Sequence, residues 1–294
     1  MRATVIINPV SGPRGRTPAG PARAREAHRV LERHGLEVVA RLTEYPGHAR
    51  GLAAGAVAEG AGLVIAWGGD GTVNEVGSSL VHTGVHFAIV PAGSGNGLAN
   101  ELGVPRPAAA ALEHAVRSPA RAIDAGEIAG RVFLNVAGLG IDARIAHRFN
   151  ARRGRSHGLR TYVRESIAEL RQFTPIDYQV TAGEERIDTH AFLVVIANSP
   201  QYGNGARIAP GARVDDGKLD LVIAEGSGVL DALWRARRLF TGSILRDGAV
   251  RHRLVERVTV TSSAPIVFHV DGEPATAGTA VEARVLAGAL LVRA

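Results

Sequence analysis

The chain's clearest chemical signal lies at residues 67–75, which read Trp-Gly-Gly-Asp-Gly-Thr-Val-Asn-Glu. An apolar run at residues 63–66 comes directly before it, so a buried strand is predicted to end in a glycine turn that opens a helix. The N–H groups of such a turn, with the helix N-terminus, bind phosphate oxygens. An anion site would not ordinarily contain its own carboxylate, so Asp70 indicates a magnesium ligand or an acceptor for a hydroxyl proton. The segment therefore favours phosphoryl transfer.

Two further loops offer backbone N–H and hydroxyl groups after predicted strands. Residues 8–12 read Asn-Pro-Val-Ser-Gly and residues 91–97 read Pro-Ala-Gly-Ser-Gly-Asn-Gly. Loops at the carboxyl ends of parallel strands meet at one edge of the sheet, so we expect all three to converge on a nucleotide. None has the Walker A spacing with its lysine, and none completes the Gly-x-Gly-x-x-Gly pattern. An ordinary NAD-dependent oxidoreductase is therefore disfavoured.

Alternating elements are predicted to position these loops. Strand-like runs at residues 4–7, 36–42, 63–67 and 87–90 alternate with helix-like segments at 19–34, 48–59, 73–80 and from 97 onward. This order is typical of parallel βαβ units. Beyond residue 121, strand-like runs dominate, with two helical insertions near 142–172 and 229–240. We predict an α/β nucleotide-binding domain with a parallel sheet over residues 1–125, a β-rich domain over 126–286, and a hinge near 118–126.

Composition restricts the class of protein and its partners. Hydrophobic residues make up 46% and charged residues 21% of the chain, and no apolar run is long enough for a membrane span, so we expect a soluble cytoplasmic protein. The absence of cysteine excludes disulfides and thiolate ligands. A net charge of +6 fits an anionic partner, while only 4% aromatic residues argues against nucleic acid, because single-strand binders need stacking platforms.

Taken in order, these motifs resemble the catalytic domain of the diacylglycerol kinase family, which includes sphingosine and ceramide kinases and bacterial lipid kinases. The first-half motifs are Asn8-Pro9-x-Ser11-Gly12, Gly68-Gly69-Asp70-Gly71-Thr72-x-Asn74-Glu75 and Pro91-x-Gly93-Ser94-Gly95-Asn96. The second-half motifs are Asn198, Tyr202-Gly203-Asn204-Gly205, Ile208-Ala209-Pro210, Asp215-Asp216-Gly217-Lys218-Leu219-Asp220-Leu221 and Asp271-Gly272-Glu273. The resemblance implies ATP as phosphate donor, Mg²⁺ as cofactor and a C-terminal β-sandwich domain that binds lipid. It also implies that the last strand, residues 287–294, returns to the first domain.

The resemblance further implies a set of residues that bind the nucleotide. By matching position these are Asn8, Ser11, Gly12, Thr43, Gly68, Gly69, Asp70, Gly71, Thr72, Asn74, Glu75, Gly93, Ser94, Gly95 and Asn96. One departure concerns Gly97, because many family members carry Asp directly after the asparagine of the third loop. Some catalytically competent branches of the family also lack that acid, so we interpret Gly97 as the mark of a branch, and a weak or non-catalytic kinase stays open as the alternative.

Three carboxylates are candidates for the catalytic chemistry. The proton acceptor is Asp70 or Glu273, and the resemblance favours Glu273. Asp124 resembles a carboxylate used near the acceptor in the family. On residue type alone, Glu273 is equally explained as a hairpin residue, and Asp124 as a buried turn residue.

A second magnesium site is implied by the resemblance, and it is expected to be more structural than catalytic. Its ligands would be the Asp216 side chain and the backbone carbonyls of Arg213 and Lys218. The alternative is an exposed Asp-Gly turn, which is common in proteins.

The predicted insertions are rich in arginine. The first insertion contains Arg144, Arg148, Arg152, Arg153, Arg155, Arg160, Arg164 and Arg171. The second insertion contains Trp234, Arg235, Arg237, Arg238 and Phe240. Such a mixture predicts that a cytoplasmic protein docks peripherally on an anionic membrane that holds its lipid substrate, whereas a solvated helix face is the simpler alternative. An edge strand of the β-rich domain is available for a homodimer.

The function predicted from the sequence is an ATP-dependent lipid kinase that phosphorylates a hydroxyl of a membrane lipid, such as diacylglycerol or a sphingoid base. One alternative is an NAD kinase-like enzyme, which shares the Gly-Gly-Asp-Gly turn. Another is a non-catalytic module that binds nucleotide or lipid, and Gly97 is its support.

Overall fold

A computed structural model describes residues 1–12, 19–151, 172–203, 205–226 and 229–294. The chain forms two compact units. Unit 1 contains Met1–Ala125 and Ala287–Ala294, and unit 2 contains Gly126–Leu286. The predicted fold class is confirmed, because unit 1 carries a parallel sheet covered by helices and unit 2 is antiparallel and sandwich-like.

Unit 1 is built on a parallel sheet of four strands in the order β2-β1-β3-β4. The strands are β1 (Arg2–Ile7), β2 (Glu37–Leu42), β3 (Leu63–Gly68) and β4 (His86–Pro91). The helices are α1 (Ala19–Leu31), α2 (His48–Ala58), α3 (Asp70–Leu80), α4 (Gly97–Glu101) and α5 (Ala108–Arg117). A fifth parallel strand is the end of β15 (Ala280–Arg293), where Leu291 and Val292 pair with β4.

The burial of β3 explains why its sequence is continuously apolar. All six of its residues are buried, as expected for a central strand with helices on both faces. Leu63 and Ile65 of β3 are fully buried, as are Ile6, Ile7 and Phe87 on the neighbouring strands. The loops that leave β1, β3 and β4 therefore start from a rigid base.

Unit 2 consists of antiparallel pairs arranged around one long strand, β9. Its other strands are β5 (Ala120–Ile128), which begins in unit 1, β6 (Arg131–Phe133), β7 (Val136–Gly140), β8 (Ile176–Ala182), β9 (Glu185–Ala197), β10 (Leu219–Glu225), β11 (Val250–Val255), β12 (Arg257–Ser262), β13 (Val267–Val270) and β14 (Glu273–Thr276). The first half of β9 pairs with β8, which leads to β12 and β15. The second half of β9 pairs with β7 and β10, and β7 leads to the β13–β14 hairpin.

In the described part of unit 2 the α-helices are α6 (Ile141–Ala151) and α7 (Val229–Thr241). Most of the first predicted insertion, residues 152–171, lies outside the described residues, as does Asn204. Among the described strands β11 pairs with β10 on one side, and the homodimer stays a prediction. Within the described part of the chain, no helix has both the length and the apolar character to cross a bilayer.

One predicted element boundary is wrong. Helix α3 begins at Asp70 rather than at residue 73, so Asp70 is the first residue of the helix and not the tip of a free turn. The boundary between the two units follows Ala125 and so falls inside the segment predicted as the hinge, residues 118–126. This segment is mostly strand, because β5 runs without a break from Ala120 to Ile128. An antiparallel pairing with β6 and a pairing with β15 hold β5 extended.

Candidate functional site

The glycine loops after β3 and β4 lie against each other backbone to backbone. A Cβ added to Gly93 would lie 2.6 Å from the Cα of Gly69, and one added to Gly69 would lie 3.1 Å from the Cα of Gly93. The Ala92 N–H donates to the Gly68 carbonyl at 2.7 Å. Side chains at positions 69 and 93 would push the loops apart, so glycine is needed at both for this close approach.

Asp70 links these two loops through its carboxylate. Oδ2 accepts the N–H of Asn96 at 2.8 Å, and Oδ1 accepts the N–H of Gly97 at 2.7 Å. These are the residues at the start of α4, where N–H groups have no acceptor inside the helix. Asp70 therefore caps α4, which explains why a carboxylate is compatible with a loop that is otherwise suited to anions. Each oxygen keeps further acceptor capacity.

Gly97, the departure from the resembled family pattern, takes part in this link. It is buried as the first residue of α4, and its N–H is one of the two donors to Asp70. The preceding residue, Asn96, adopts φ +54° and bonds both backbone groups of Gly93 through its side-chain amide, at 2.9 and 2.8 Å. The third loop is therefore fixed in shape by its own asparagine and by Asp70.

The first loop joins the other two through Asn8. The Asn8 N–H donates to the Trp67 carbonyl at 2.9 Å, and its side-chain amide donates to Thr72 Oγ1 at 3.0 Å. Thr72 is buried at the start of α3. The three loops predicted to converge are thus connected by Asn8, Asp70 and the glycine contact.

Arg23 on α1 is a further member of the site that sequence reasoning missed. Its guanidinium donates to the Asn8 carbonyl at 2.7 Å, to Ser11 Oγ at 2.9 Å and to the Ser11 carbonyl at 2.7 Å. It also lies 5.7 Å from the centroid of the Trp67 ring. Desolvation by burial lowers the pKa of Arg23, and the nearby Glu26 partly offsets this. Arg23 therefore holds the first loop onto the unit's core.

The N-terminus of α3 supplies donors that suit an anion. The first N–H groups of a helix have no acceptor within it, and in α3 they belong to Asp70, Gly71 and Thr72. The next one, on Val73, already donates to the Gly69 carbonyl at 3.0 Å. Together with the partial positive charge of the helix N-terminus, this donor set fits the phosphates of a nucleotide. In the third loop Ser94 is exposed and offers a hydroxyl.

Two other predicted nucleotide-binding residues lie towards β2 and α2. Thr43 follows β2, and its N–H donates to the Ile7 carbonyl at 2.9 Å. Glu75 accepts the N–H groups of Gly47 at 2.9 Å and Ala49 at 3.0 Å with its two carboxylate oxygens. Glu75 therefore caps α2, and the structure gives it a positioning contact rather than a place among the three loops. Asn74, its neighbour on α3, is buried.

Asp124 lies outside the contacts among the three loops. It is 3% exposed within β5, and Oδ1 accepts the Gly288 N–H at 2.7 Å. Gly288 has φ +57°, a conformation that favours glycine, so this bond secures a bend in β15. The contact supports a structural role, and the catalytic role of Asp124 stays a prediction.

In unit 2, Glu273 begins β14 directly after a two-residue turn. Asp271 and Gly272 have φ +47° and +87°, and Val270 pairs with Glu273, the pattern of a type I′ hairpin. The Asp271 carboxylate accepts the N–H groups of Leu134 at 2.8 Å and of Asn135 and Val136 at 2.9 Å each. Asp271 thus fixes the turn, and the half-buried Glu273 follows it.

The predicted metal residues form an exposed turn. Asp216 Oδ1 accepts the Lys218 N–H at 3.0 Å, while Arg213 Nε lies 3.3 Å from Asp215 Oδ1. The third acidic residue, Asp220, is buried and lies 2.6 Å from His252 Nε2. Across the described residues, no group of three or more His, Asp or Glu side chains is placed to hold a metal. The second magnesium site stays a prediction, and the turn alone explains the geometry.

The arginines of α7 are only partly available to a membrane. Arg235 Nε and Arg238 Nη1 each lie 3.6 Å from Asp247 Oδ2, whereas Arg237 and Phe240 are exposed. In the first insertion, Arg144 lies 5.6 Å from the centroid of the Phe173 ring. The arginines from 152 to 171 lie outside the described residues, as do the side chains of residues 229–234.

Comparisons with known proteins bear on the whole chain. Residues 2–128 match the family model of the diacylglycerol kinase catalytic domain, and residues 135–294 match that of the YegS C-terminal NAD kinase beta sandwich-like domain. A diacylglycerol kinase of Mycobacterium tuberculosis is 34% identical over 249 residues, which cover 81% of this chain and 77% of that protein. A protein named probable lipid kinase YegS-like, from Pseudomonas aeruginosa, is 30% identical over 262 residues, covering 87% and 84%.

The fold has a counterpart among solved structures. The crystal structure of a diacylglycerol kinase from Bacillus anthracis superposes with a TM-score of 0.76 at 18% identity, and the match covers 99% of this chain and 96% of that one. At this identity the structural similarity shows a common fold, whereas the matches to the family models and to the relatives show common descent. The chain belongs to the diacylglycerol kinase family of lipid kinases, as its loop motifs indicated.

Proposed function

We propose that the protein transfers the γ-phosphate of ATP to a hydroxyl group of a membrane lipid, such as diacylglycerol or a sphingoid base. The observation that carries this proposal is the close contact of the two glycine loops around Asp70, next to the open N–H groups of α3. The family membership supports a lipid acceptor.

Binding of the triphosphate is assigned to the three loops of unit 1. The α3 N–H groups would donate to phosphate oxygens, and the Ser94 hydroxyl would add a donor from the third loop. Asn8 and Arg23 would keep the first loop in place through the bonds described above. Positioning of this kind is most of what a phosphoryl-transfer enzyme contributes.

The Asp70 carboxylate fits a role in charge neutralisation. Both oxygens already accept a backbone N–H, but each has remaining acceptor capacity that would hold a hydrated Mg²⁺. When bound there, Mg²⁺ would neutralise charge on the phosphate oxygens. Because its oxygens are committed to two N–H donors, Asp70 is better suited to this role than to taking up a proton.

Glu273 is assigned the role of proton acceptor. As the lipid oxygen bonds to the γ-phosphorus and the bond to the leaving ADP breaks, the hydroxyl proton would pass to a Glu273 carboxylate oxygen. The tight turn held by Asp271 supports this assignment, because a general base needs a fixed position.

Tyr45 is assigned to the nucleotide base. Its ring stacks on His48 with centroids 4.5 Å apart and planes 2° from parallel, yet the residue is 61% exposed. Glu75, on the helix whose N-terminus would bind phosphate, anchors this turn through Gly47 and Ala49. An exposed ring on a rigid turn offers a stacking surface for a purine.

Peripheral binding to an anionic membrane is part of the proposal. Arg237 and Phe240 on α7 combine an exposed cation with an exposed aromatic ring. A basic residue near an anionic surface contributes about 1 kcal/mol, so several are needed for stable docking. Sedimentation with phosphatidylserine vesicles against phosphatidylcholine vesicles tests this, and equal binding to both would contradict it.

The function is tested by incubating the purified protein with γ-labelled ATP, Mg²⁺ and mixed micelles that contain diacylglycerol, sphingosine or ceramide. A parallel reaction replaces the lipids with NAD. Labelled lipid, identified by mass spectrometry, is the expected product. Labelled NADP without labelled lipid would favour the NAD kinase-like alternative, and ATP binding without any product would favour a non-catalytic module.

The Glu273→Gln variant tests the role of the proton acceptor. It keeps the shape of the side chain but removes the carboxylate, so kcat is expected to fall about 100-fold or more with ATP binding unchanged. The matched control is Glu185→Gln, which changes an exposed glutamate that pairs with Arg253 at 3.1 Å in the same unit. Equal activity in both variants would contradict the assignment.

A further inference from the structure

A buried histidine in unit 2 touches the turn that precedes Glu273. His269 lies on β13 and is 3% exposed. Its Nδ1 accepts the N–H of Gly272 at 3.2 Å, and its Nε2 lies 3.2 Å from Asp142 Oδ2. Because Nδ1 accepts a hydrogen bond, the ring proton must be on Nε2, from which it is donated to Asp142. The ring therefore connects a carboxylate on α6 to the backbone of the turn.

The carboxylate partner is itself fixed from two sides. Asp142 Oδ1 accepts the Ala143 N–H at 2.8 Å, and Oδ2 also accepts the Tyr202 hydroxyl at 3.3 Å. Gly138 on β7 leaves the space for this arrangement, since a Cβ there would collide with Asp142 Oδ2 and lie 2.7 Å from His269 Nε2. Asp142 is only 14% exposed at its side chain. The His269–Asp142 pair is therefore fixed by the surrounding structure and is not a chance contact on the surface.

Another histidine–aspartate pair in the same unit shows what is distinctive about this one. His190 Nδ1 lies 2.7 Å from Asp177 Oδ1 across the β8–β9 pair, with side-chain exposures of 56% and 88%. An exposed pair of this kind contributes little. His269, by contrast, is buried and uses its second ring nitrogen on the backbone of the Asp-Gly turn.

We propose that His269 is a positioning residue that, held by Asp142, fixes the Asp271-Gly272 turn and thereby the Glu273 carboxylate. This inference rests on the proposed function, in which Glu273 accepts the proton of the lipid hydroxyl. The bond to the Gly272 N–H is the contact that matters for catalysis, and the bond to Asp142 orients the ring. His269 itself does not touch the reacting atoms.

Two substitutions separate the two ring nitrogens. In His269→Asn the amide oxygen takes the place of Nδ1 and accepts the Gly272 N–H, whereas in His269→Gln the amide nitrogen takes the place of Nε2 and donates to Asp142. We expect kcat to fall about tenfold in His269→Gln, because a tenfold loss is typical of one missing hydrogen bond. In His269→Asn we expect kcat to stay within about threefold of that of the wild-type protein. KM for ATP is expected to be unchanged in both. The control is His190→Asn, with unchanged kcat.

The result that would overturn the inference is equal kcat in the two His269 variants after correction for the folded fraction, because a merely structural role does not distinguish the nitrogens. A fall in His269→Asn larger than that in His269→Gln would do the same. Thermal unfolding of each variant provides the correction.

A second measurement does not depend on kinase activity. Nitrogen NMR of the imidazole is expected to show Nε2 protonated and Nδ1 unprotonated, and hydrogen exchange of the Gly272 amide should be faster in His269→Gln than in His269→Asn. The opposite tautomer, or equal exchange, would overturn the inference. If the wild-type protein phosphorylates no lipid while these NMR results hold, the proposed function is contradicted, but the conclusion that His269 fixes the Asp271-Gly272 turn is retained.

Discussion

Asp70-Gly71 in unit 1 and Asp271-Gly272 in unit 2 both pair an aspartate with a glycine, and they use the aspartate differently. In unit 1, Asp70 accepts two backbone N–H groups from a separate loop while lying at an open helix N-terminus. In unit 2, Asp271 accepts three N–H groups from buried residues and stabilises the fold, and the proposal assigns the chemistry to the next carboxylate in the chain, Glu273. In the proposed mechanism, Asp70 of unit 1 both fixes the loops and takes part in the chemistry, whereas unit 2 divides these two tasks between Asp271 and Glu273.

The surroundings of the two turns explain this division. The unit 1 loops approach each other through glycine backbone, with Gly69 against Gly93, so that main-chain N–H groups line the proposed phosphate site. The unit 2 turn is held by side chains, with His269 on one side and Asp271 on the other. A site made of main-chain N–H groups suits an anion with many acceptor oxygens, such as a triphosphate, whereas a turn held by side chains suits the placement of a single reactive carboxylate.

The largest expected effect is on stability and comes from removing the carboxylate of unit 2. In Asp271→Ala, three N–H groups of the buried residues 134–136 lose their acceptor, so the free energy of unfolding is expected to fall by about 3–5 kcal/mol. Urea unfolding measures this. Glu273→Gln is the control and should change stability by less than about 0.5 kcal/mol. A similar loss in both variants would break the proposed division of tasks.

A smaller effect is expected from a single methyl group between the loops of unit 1. In Gly93→Ala the Cβ meets the Gly69 backbone, so the loops must separate and ATP affinity is expected to fall about 100-fold. Isothermal titration calorimetry measures the affinity. Gly51→Ala, on an open face of α2 with no atom within 4 Å of the added Cβ, should leave ATP binding unchanged. Unchanged affinity in Gly93→Ala would show that the close approach is not needed.

A tenfold effect is expected from the exposed ring near β2. In Tyr45→Ala the affinity for ATP should fall about tenfold, since stacking of a base on an aromatic ring contributes about 1–3 kcal/mol. Inorganic tripolyphosphate has no base, so its affinity should not change, and Tyr45→Phe should bind ATP as the unchanged protein does. Equal losses for ATP and tripolyphosphate would place the effect in the phosphate loops instead.

The smallest expected effect is a dependence of stability on alkaline pH. Burial raises the pKa of the Tyr178 hydroxyl, and the negative charge of Asp142 raises it further. In the unfolded chain this hydroxyl ionises near pH 10, so above that pH the unfolded state binds fewer protons and stability falls as pH rises. Tyr178→Phe should reduce the slope of unfolding free energy between about pH 10 and 11. An unchanged slope would show that Tyr178 ionises freely in the folded protein.

Much of unit 1 follows from sequence patterns alone. The apolar runs predict the parallel strands, and the rule that loops meet at the carboxyl ends of strands predicts the meeting of Gly69 with Gly93. The cap that Asp70 gives to α4 does not follow, because it joins residues 26 and 27 positions apart whose contact depends on the shape of both loops. Arg23 was missed for a related reason, since α1 carries several arginines and no pattern shows which one faces the first loop.

Unit 2 was less predictable because its contacts are between distant side chains. The Asp-Gly pair at 271–272 predicts a hairpin turn, and the turn is there. Nothing local shows that Asp142 and His269, 127 positions apart, form a buried pair. Strand β5, residues 120–128, was not predicted for a related reason, because β15, one of the strands that pair with it, lies far away in the chain.

The central claim is that the loops around Asp70 bind a triphosphate whose terminal phosphate is passed to a lipid. The most direct test compares the unchanged protein with Asp70→Asn in transfer from γ-labelled ATP to diacylglycerol and sphingosine micelles, with circular dichroism to verify the fold. We expect labelled lipid from the unchanged protein and at least a 100-fold lower rate from the variant, the size of effect typical for loss of one electrostatic catalytic group. Full activity in a folded Asp70→Asn variant would contradict the account.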